Sequence, residues 1–250
     1  MKYVKQSLSD IQRYAFLGIS TTFLSVLSVS PLARAGHTDA YMNLPCINTQ
    51  PPTSASTFVQ KVLGKAQDEW GFWGCQVVQG SSIKRAGETE TADKYWQRVG
   101  DYWQSIGLNY TGKDTNQAWS ASFISWVMKE AGAGNNFQYS RRHSTYIADA
   151  IQNKKNGNIN APFVGYKLQD YSPEIGDLVC YSRASWVSYN TTSNRYPSHC
   201  DIVVANVQDA VEVIGGNVKN SVSKKVIHLD GNGKVDDSEF PWFVVIKNNL

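Results

Sequence analysis

Apolar side chains recur at helical spacing through the first half of the chain and at short, strand-like intervals through the second. Phe58, Val62, Leu63, Ala66 and Trp70 share one helical face, behind the cap candidates Ser54 and Ser56 and ahead of Gly71 and Gly74. That spacing predicts a helix to about Trp70. Gly80 to Thr91 reads as a polar loop. A second helix is predicted from about Thr91 to Ser105, with Trp96, Val99, Tyr102, Trp103 and Ile106 along one side. An aromatic stripe at this spacing is the signature of core packing. A third helix starts near Gln117 and ends at Gly132, a residue type suited to the left-handed turn that closes a helix. A short fourth runs from about Ser144 to Asn153. Beyond the polar loop Lys154–Asn160, β-rich runs follow at Phe163–Leu168, Asp177–Tyr181, Asp201–Val207, Ala210–Ile214, Val222–Leu229 and Trp242–Ile246. Helices first and strands after predict an α+β fold, with N-terminal helices packed on an antiparallel β-sheet. No internal repeat and no second domain is visible.

The amino terminus departs from this pattern. Lys2, Lys5 and Arg13 precede an interrupted apolar run from Tyr14 to Val29, followed by Pro31 and Ala33-Arg34-Ala35. This is the layout of a secretory signal, and it is too short and polar for a span of about 20 apolar residues. Residues 1–35 are therefore expected to be a cleaved signal peptide, with an uncleaved anchor as the alternative. Residues 36–53 form a polar, proline-containing leader, and residues 54–250 a single domain. Export implies a periplasmic or secreted protein, with no stable membrane span after cleavage.

Removing the signal changes the charge balance. It carries four basic residues and one acid, so the 24 basic and 21 acidic residues of the whole chain become 20 of each. A near-neutral mature chain has no basic stripe to neutralise phosphates, which argues against nucleic acid as a partner. Cys46, Cys75, Cys180 and Cys200 are even in number and show no Cys-x-x-Cys spacing, so disulfides are expected rather than zinc. Cys180 ends one predicted strand and Cys200 begins another. If those strands pair antiparallel, the two are in bridging range. Cys46–Cys75 is the default second pair.

Three segments carry candidate chemistry: Trp119-Ser120-Ala121-Ser122-Phe123 at the third helix start, His199-Cys200-Asp201 on a later strand, and Gly215-Gly216-Asn217 on the next. A nucleophile at a helix N-terminus, a histidine base on a strand and a polar residue orienting it form the order of a papain-like site. Longer stretches extend the likeness. They include Glu69-Trp70-Gly71-Phe72-Trp73-Gly74, Tyr95 to Trp103, Thr111-Gly112-Lys113, Ala118 to Met128, Ala131 to Gly134, Tyr139-Ser140 with His143 and Tyr146-Ile147, Gly176-Asp177-Leu178, His199 to Val204 and Ile214 to Val218. As an ordered set they resemble the bacterial domain-of-unknown-function family 2272, over about Ser54 to Ile246. That family in turn resembles papain-like peptidoglycan amidases and endopeptidases, the CHAP group included. The resemblance implies a papain-like fold and hydrolysis of amide bonds in cell-wall peptides, with neither cofactor nor metal. It places Ser120 where the wider group has its cysteine nucleophile, His199 at the base and Asn217 at the orienting asparagine. Gly215 stands where an acid is expected.

A serine hydroxyl is not appreciably ionised and needs a well-placed base, unlike a cysteine thiol. Ser120 is thus read either as the nucleophile or as a helix-capping or substrate-contacting serine in an inactive module that binds peptidoglycan or a partner protein. Asp201, two residues after His199 and on the same strand face, is the alternative orienter. Trp119 and His143 are expected to line the substrate cleft. The segment His228 to Glu239 has the spacing of a calcium loop. However, its first ligand position is a histidine and its flanks alternate like strands, so it is read as a metal-free hairpin loop.

Overall fold

A computed structural model of the chain describes residues 46, 53–191 and 193–250. The expected signal peptide and nearly all of the leader lie outside the described residues. Helix α1 spans Thr57–Phe72. It starts where the Ser56 hydroxyl accepts a hydrogen bond from the Val59 amide at 3.1 Å, one of the amides a helix leaves unpaired. It buries Val59, Val62, Leu63, Ala66 and Trp70. The chain then reverses through Gly74 and Cys75, both at positive φ.

A hairpin follows, β1 (Gln76–Gln79) and β2 (Ser82–Arg85), of which β2 falls in the Gly80 to Thr91 stretch expected to be a loop and β1 just before it. Strand β2 is the sheet edge and is largely exposed, so it lacks the apolar alternation by which strands are recognised. Helix α2 is Tyr95–Gln104 and buries Tyr95, Val99, Tyr102 and Trp103. Helix α3 is Ser120–Ala131 and ends at Gly132, whose φ of 95° allows the left-handed closing turn. Helix α4 is His143–Lys155.

Six strands complete the sheet: β3 (Phe163–Tyr166), β4 (Leu178–Ser182), β5 (Ser198–Val207), β6 (Ala210–Val218), β7 (Ser221–His228) and β8 (Trp242–Asn248). Their spatial order is β2-β1-β7-β6-β5-β4-β8-β3. The architecture is α+β as expected, but the sheet is mixed. Strand β1 lies parallel to β7, pairing Gln76 with Ser223 and Val77 with Lys224, whereas the other neighbours are antiparallel.

Strand alternation splits the core. Leu178, Cys180, Cys200, Ile202, Val204, Ile214, Val244 and Ile246 pack against the helices. Val179, Tyr181, Val203, Val211, Val213, Ile227 and Trp242 face the other way, against Leu168, Leu229, Val235 and Phe240. Cys180 and Cys200 stand directly opposite each other on β4 and β5 and form a disulfide, with Cα atoms 4.1 Å apart. Cys46 and Cys75 form the second.

The loop with calcium-like spacing closes by a bridge between Leu229 and Val235. Asp230 accepts bonds from the Asn232 and Lys234 amides. Glu239 instead reaches the β1–β2 turn, accepting from Gln79 Nε2 at 2.6 Å and the Gly80 amide at 2.7 Å. Among the described residues no helix is long and apolar enough to cross a membrane.

Candidate active site

The start of α3 is anchored from below. Trp119 is 1% exposed, stacks on Trp73 and Tyr102 with ring centroids 5.3 and 5.5 Å away, and donates its indole N–H to Glu90 at 2.5 Å. Tyr102 is itself held by Glu69, which also pairs with Arg98. Trp119, expected in the substrate cleft, is therefore part of the core, because its large apolar ring fits between two other aromatic rings and its one polar atom is already bonded. Its position fixes Ser120, the next residue, at the first turn of α3.

The Ser120 hydroxyl does not pair with His199, the expected base. It lies 2.7 Å from Nε2 of His143, the first residue of α4. The other ring nitrogen of His143, Nδ1, pairs with the hydroxyl of Tyr146, one helical turn on. The segment before α4 is tied to α3. Ser125 Oγ donates to the Ser140 carbonyl and accepts from the Ser140 amide, each at 3.1 Å, and Ser140 Oγ accepts from the Arg142 amide at 3.0 Å. These bonds carry the His143 imidazole to the N-terminus of α3. His143 is thus more than a cleft-lining residue: it is the direct partner of Ser120.

His199 lies beside this pair, its ring centroid 5.1 Å from that of His143 and 5.3 Å from that of Tyr181. Its Nε2 is 3.0 Å from Asp201 Oδ1, and Asp201 Oδ2 accepts from Lys225 Nζ at 2.6 Å. His199 and Asp201 are fully buried and Lys225 nearly so. Of the two candidate orienters, Asp201 makes the bond to His199. Asn217 sits just beyond, at a φ of 53°, where β6 and β7 lose register, and lines the neighbouring cavity.

Gly215, found where an acid was expected, has a spatial role. A Cβ there would lie 2.0 Å from Asp201 Oδ1 and 2.9 Å from His199 Nε2. The Asp201 carboxylate therefore occupies the space a side chain at 215 would fill, and β5 rather than β6 supplies the acid. The Cys180–Cys200 bridge locks β5 to β4 at the residue between His199 and Asp201.

The charges follow from burial and neighbours. Burial alone would raise the Asp201 carboxyl, but the Lys225 ammonium and His199 hold it well below the usual carboxylate range, so it is ionised. Burial lowers both imidazoles. For His143 the adjacent His199 and Arg183 lower it further, whereas for His199 the Asp201 carboxylate pulls back. Burial raises Tyr146 well above its ordinary value, helped by the charge of Asp201. At neutral pH the site thus contains two neutral imidazoles, a neutral phenol and one ionised carboxylate–ammonium pair. Because Asp201 can only accept, His199 Nε2 carries the proton and His199 Nδ1 is a lone pair. That buried nitrogen has no hydrogen-bond partner among the described residues.

A cavity of about 920 Å³ opens next to the cluster, lined by Tyr181, Arg183, Asn217, Lys219, Lys225 and Phe240 among others. Lys225 is common to the cavity wall and the buried ion pair, and Tyr181 to the wall and the His199 ring contact. No cluster of three or more His, Cys, Asp or Glu side chains among the described residues is arranged to hold a metal ion.

The sequence singled out Ser120, His143, His199 and Asp201, which the structure brings together, but assigned no role to Tyr146 or Lys225. Tyr146 follows His143 at i+3, the spacing that puts two side chains on one helical face, and this was the available signal. Lys225 carried none, since two adjacent lysines, Lys224 and Lys225, in a strand do not show which of them faces inward.

Fold and site together define an α+β domain with a helix-borne serine set against two buried histidines and a carboxylate–lysine pair. The chain belongs to the bacterial family described as "Uncharacterized protein conserved in bacteria (DUF2272)", whose match covers residues 90–248. Helix α1 and the β1–β2 hairpin precede that match. No curated protein and no solved structure matches the chain.

Proposed function

We propose that this is an exported hydrolase of papain-like kind that cleaves an amide bond in peptidoglycan peptides, with Ser120 as nucleophile and His199 as base. The observation that carries the reading is the place of Ser120 at a helix N-terminus, its hydroxyl on His143 and, beside that ring, a second imidazole, His199, whose Nε2 is held by Asp201 and whose Nδ1 is unpartnered. Free amides at the start of α3 would stabilise an oxyanion on the attacked carbonyl. The resemblance to papain-like amidases and endopeptidases supplies the substrate class, and two disulfides suit an oxidising compartment outside the cytoplasm.

The test is digestion of purified muropeptides by the mature protein, followed by mass spectrometry. Wild type should release products of one specific bond, and Ser120→Ala should fold normally and lose activity by about 10³-fold or more. Ser120→Cys should retain or gain activity and become sensitive to a thiol-directed alkylating reagent. A second reading is favoured by the burial of Ser120, His143 and His199, at 5%, 3% and 0% exposed. In it the cluster is structural, and the adjoining cavity binds peptidoglycan or a partner protein without chemistry. Intact muropeptides with all three proteins, alongside retention of wild type on sacculi, would establish that second reading.

A further inference from the structure

The pairing of Ser120 with His143 leaves open which atom gives the proton, and the surrounding partners decide it. Two arrangements fit the heavy atoms. In the first, Ser120 donates to His143 Nε2, and His143 Nδ1–H donates to Tyr146. Tyr146 then has a buried hydroxyl proton with no acceptor, and His199 Nδ1 keeps an unused lone pair. In the second, the Tyr146 hydroxyl donates to His143 Nδ1, and His143 Nε2–H donates to Ser120 Oγ. The Ser120 proton is then free to turn toward His199, whose buried Nδ1 lacks a donor. Buried donors and acceptors left unpaired are costly, and only the second arrangement leaves the Ser120 proton free for the unpaired His199 Nδ1.

We infer that His143 is a positioning residue that donates its Nε2 proton to the Ser120 oxygen, its tautomer set by Tyr146, so that the serine proton is presented to His199. The observations behind it are the 2.7 Å contact of Ser120 with His143 Nε2, the contact of His143 Nδ1 with Tyr146, the 5.1 Å approach of the two imidazoles and the unpartnered His199 Nδ1. Donation then runs from Tyr146 through His143 to the Ser120 oxygen and, separately, from His199 to Asp201, which Lys225 closes from the far side; the inferred link between the two runs from the Ser120 proton to the unpartnered His199 Nδ1. In the hydrolase reading, on which the catalytic part of this inference rests, Oγ bonds to the carbonyl carbon as its proton passes to His199 Nδ1. That proton leaves with the departing amine, and water returns along the same route to release the acid and restore the serine. His143 keeps its own proton throughout.

The experiment uses the mature protein labelled with ¹⁵N-histidine, and long-range ¹H–¹⁵N spectra at pH 7.5. His143 and His199 should both appear as neutral Nε2–H tautomers, and in Tyr146→Phe the His143 signals should shift toward a mixture of tautomers. Activity on muropeptides provides the second arm. His143→Gln keeps an N–H donor at the Nε2 position and should remain within about tenfold of wild type, while His143→Ala should fall about a hundredfold. His199→Gln should lose about 10³-fold or more. A neutral Nδ1–H tautomer at His143, or a His143→Gln protein as inactive as His199→Gln, overturns the inference, because His143 would then be the base itself. If every variant and wild type are inactive while the spectra show the expected tautomers, the hydrolase reading fails and the proton arrangement stands.

Discussion

The substitution Gly215→Ala isolates the tightest contact of the site. Gly215 does not adopt a positive φ, so alanine suffers no backbone penalty there and the effect is steric. The new methyl group would lie 2.0 Å from Asp201 Oδ1, 3.1 Å from its Cγ and 2.9 Å from His199 Nε2. Relaxed non-bonded contacts to carbon are about 3.5 Å, so the carboxylate must retreat by more than about 1 Å. Its bonds of 3.0 Å to His199 and 2.6 Å to Lys225 would then exceed the normal range of about 2.7–3.2 Å. Overpacking a core costs about 1–3 kcal/mol, and parting a buried ion pair about 3–5 kcal/mol. The strand has little room to yield, since β6 is flanked by β5 and β7 and Gly216 already abuts Phe123. A loss of about 3 kcal/mol is expected in urea unfolding followed by circular dichroism. Gly64→Ala is the control. That position lies inside α1 with nothing within 4 Å of the added carbon, and it should gain about 0.5–1 kcal/mol from helix propensity. Should Gly215→Ala unfold within about 0.5 kcal/mol of wild type, the claim that residue 215 must be bare to admit the Asp201 carboxylate is wrong.

The remaining expectations concern pH and covalent cross-linking. His143 titrates below an unfolded histidine at about 6.5, so the unfolded chain binds the extra proton and this stabilisation, intact above that pH, is lost as pH falls. Asp177, pushed up to about 7 mainly by burial, acts in the opposite sense, its contribution fading as pH rises toward 7. Subtracting the stability of His143→Gln from that of wild type removes the Asp177 effect. The difference should shrink from pH 7.5 to 5 with a slope approaching about 1.4 kcal/mol per unit, and a pH-independent difference would contradict the buried neutral imidazole. Cys180→Ser with Cys200→Ser opens a cross-link across a separation of 20 residues and should cost about 3 kcal/mol, read from the shift in urea midpoint. Peptide mapping without reductant should find Cys180 joined to Cys200, and free thiols at both would refute the pairing.

Much of this protein was determined locally by its sequence. The spacing of Val62, Ala66 and Trp70, the glycine at 132 and the β-rich runs after residue 160 marked, among the described residues, four helices and six of eight strands in order. These are properties of one element each, set by periods of 3.6 and 2 residues. The Cys180–Cys200 bridge was legible for a related reason, since two neighbouring strands of matched pattern bring their ends together. Hairpin β1–β2 escaped because its edge strand buries almost nothing, and the parallel pairing of β1 with β7 because it joins strands far apart in the chain. The partners within the site were likewise decided in three dimensions. Ser120 meets a histidine 23 residues on, at the head of a different helix, and Asp201 meets a lysine 24 residues on, two strands away. Gly215 reads in the sequence as a missing acid. Only the packed sheet shows that its bareness makes room for the acid of the adjoining strand, because which side chain fills a space depends on how the elements dock and not on the period of any one of them.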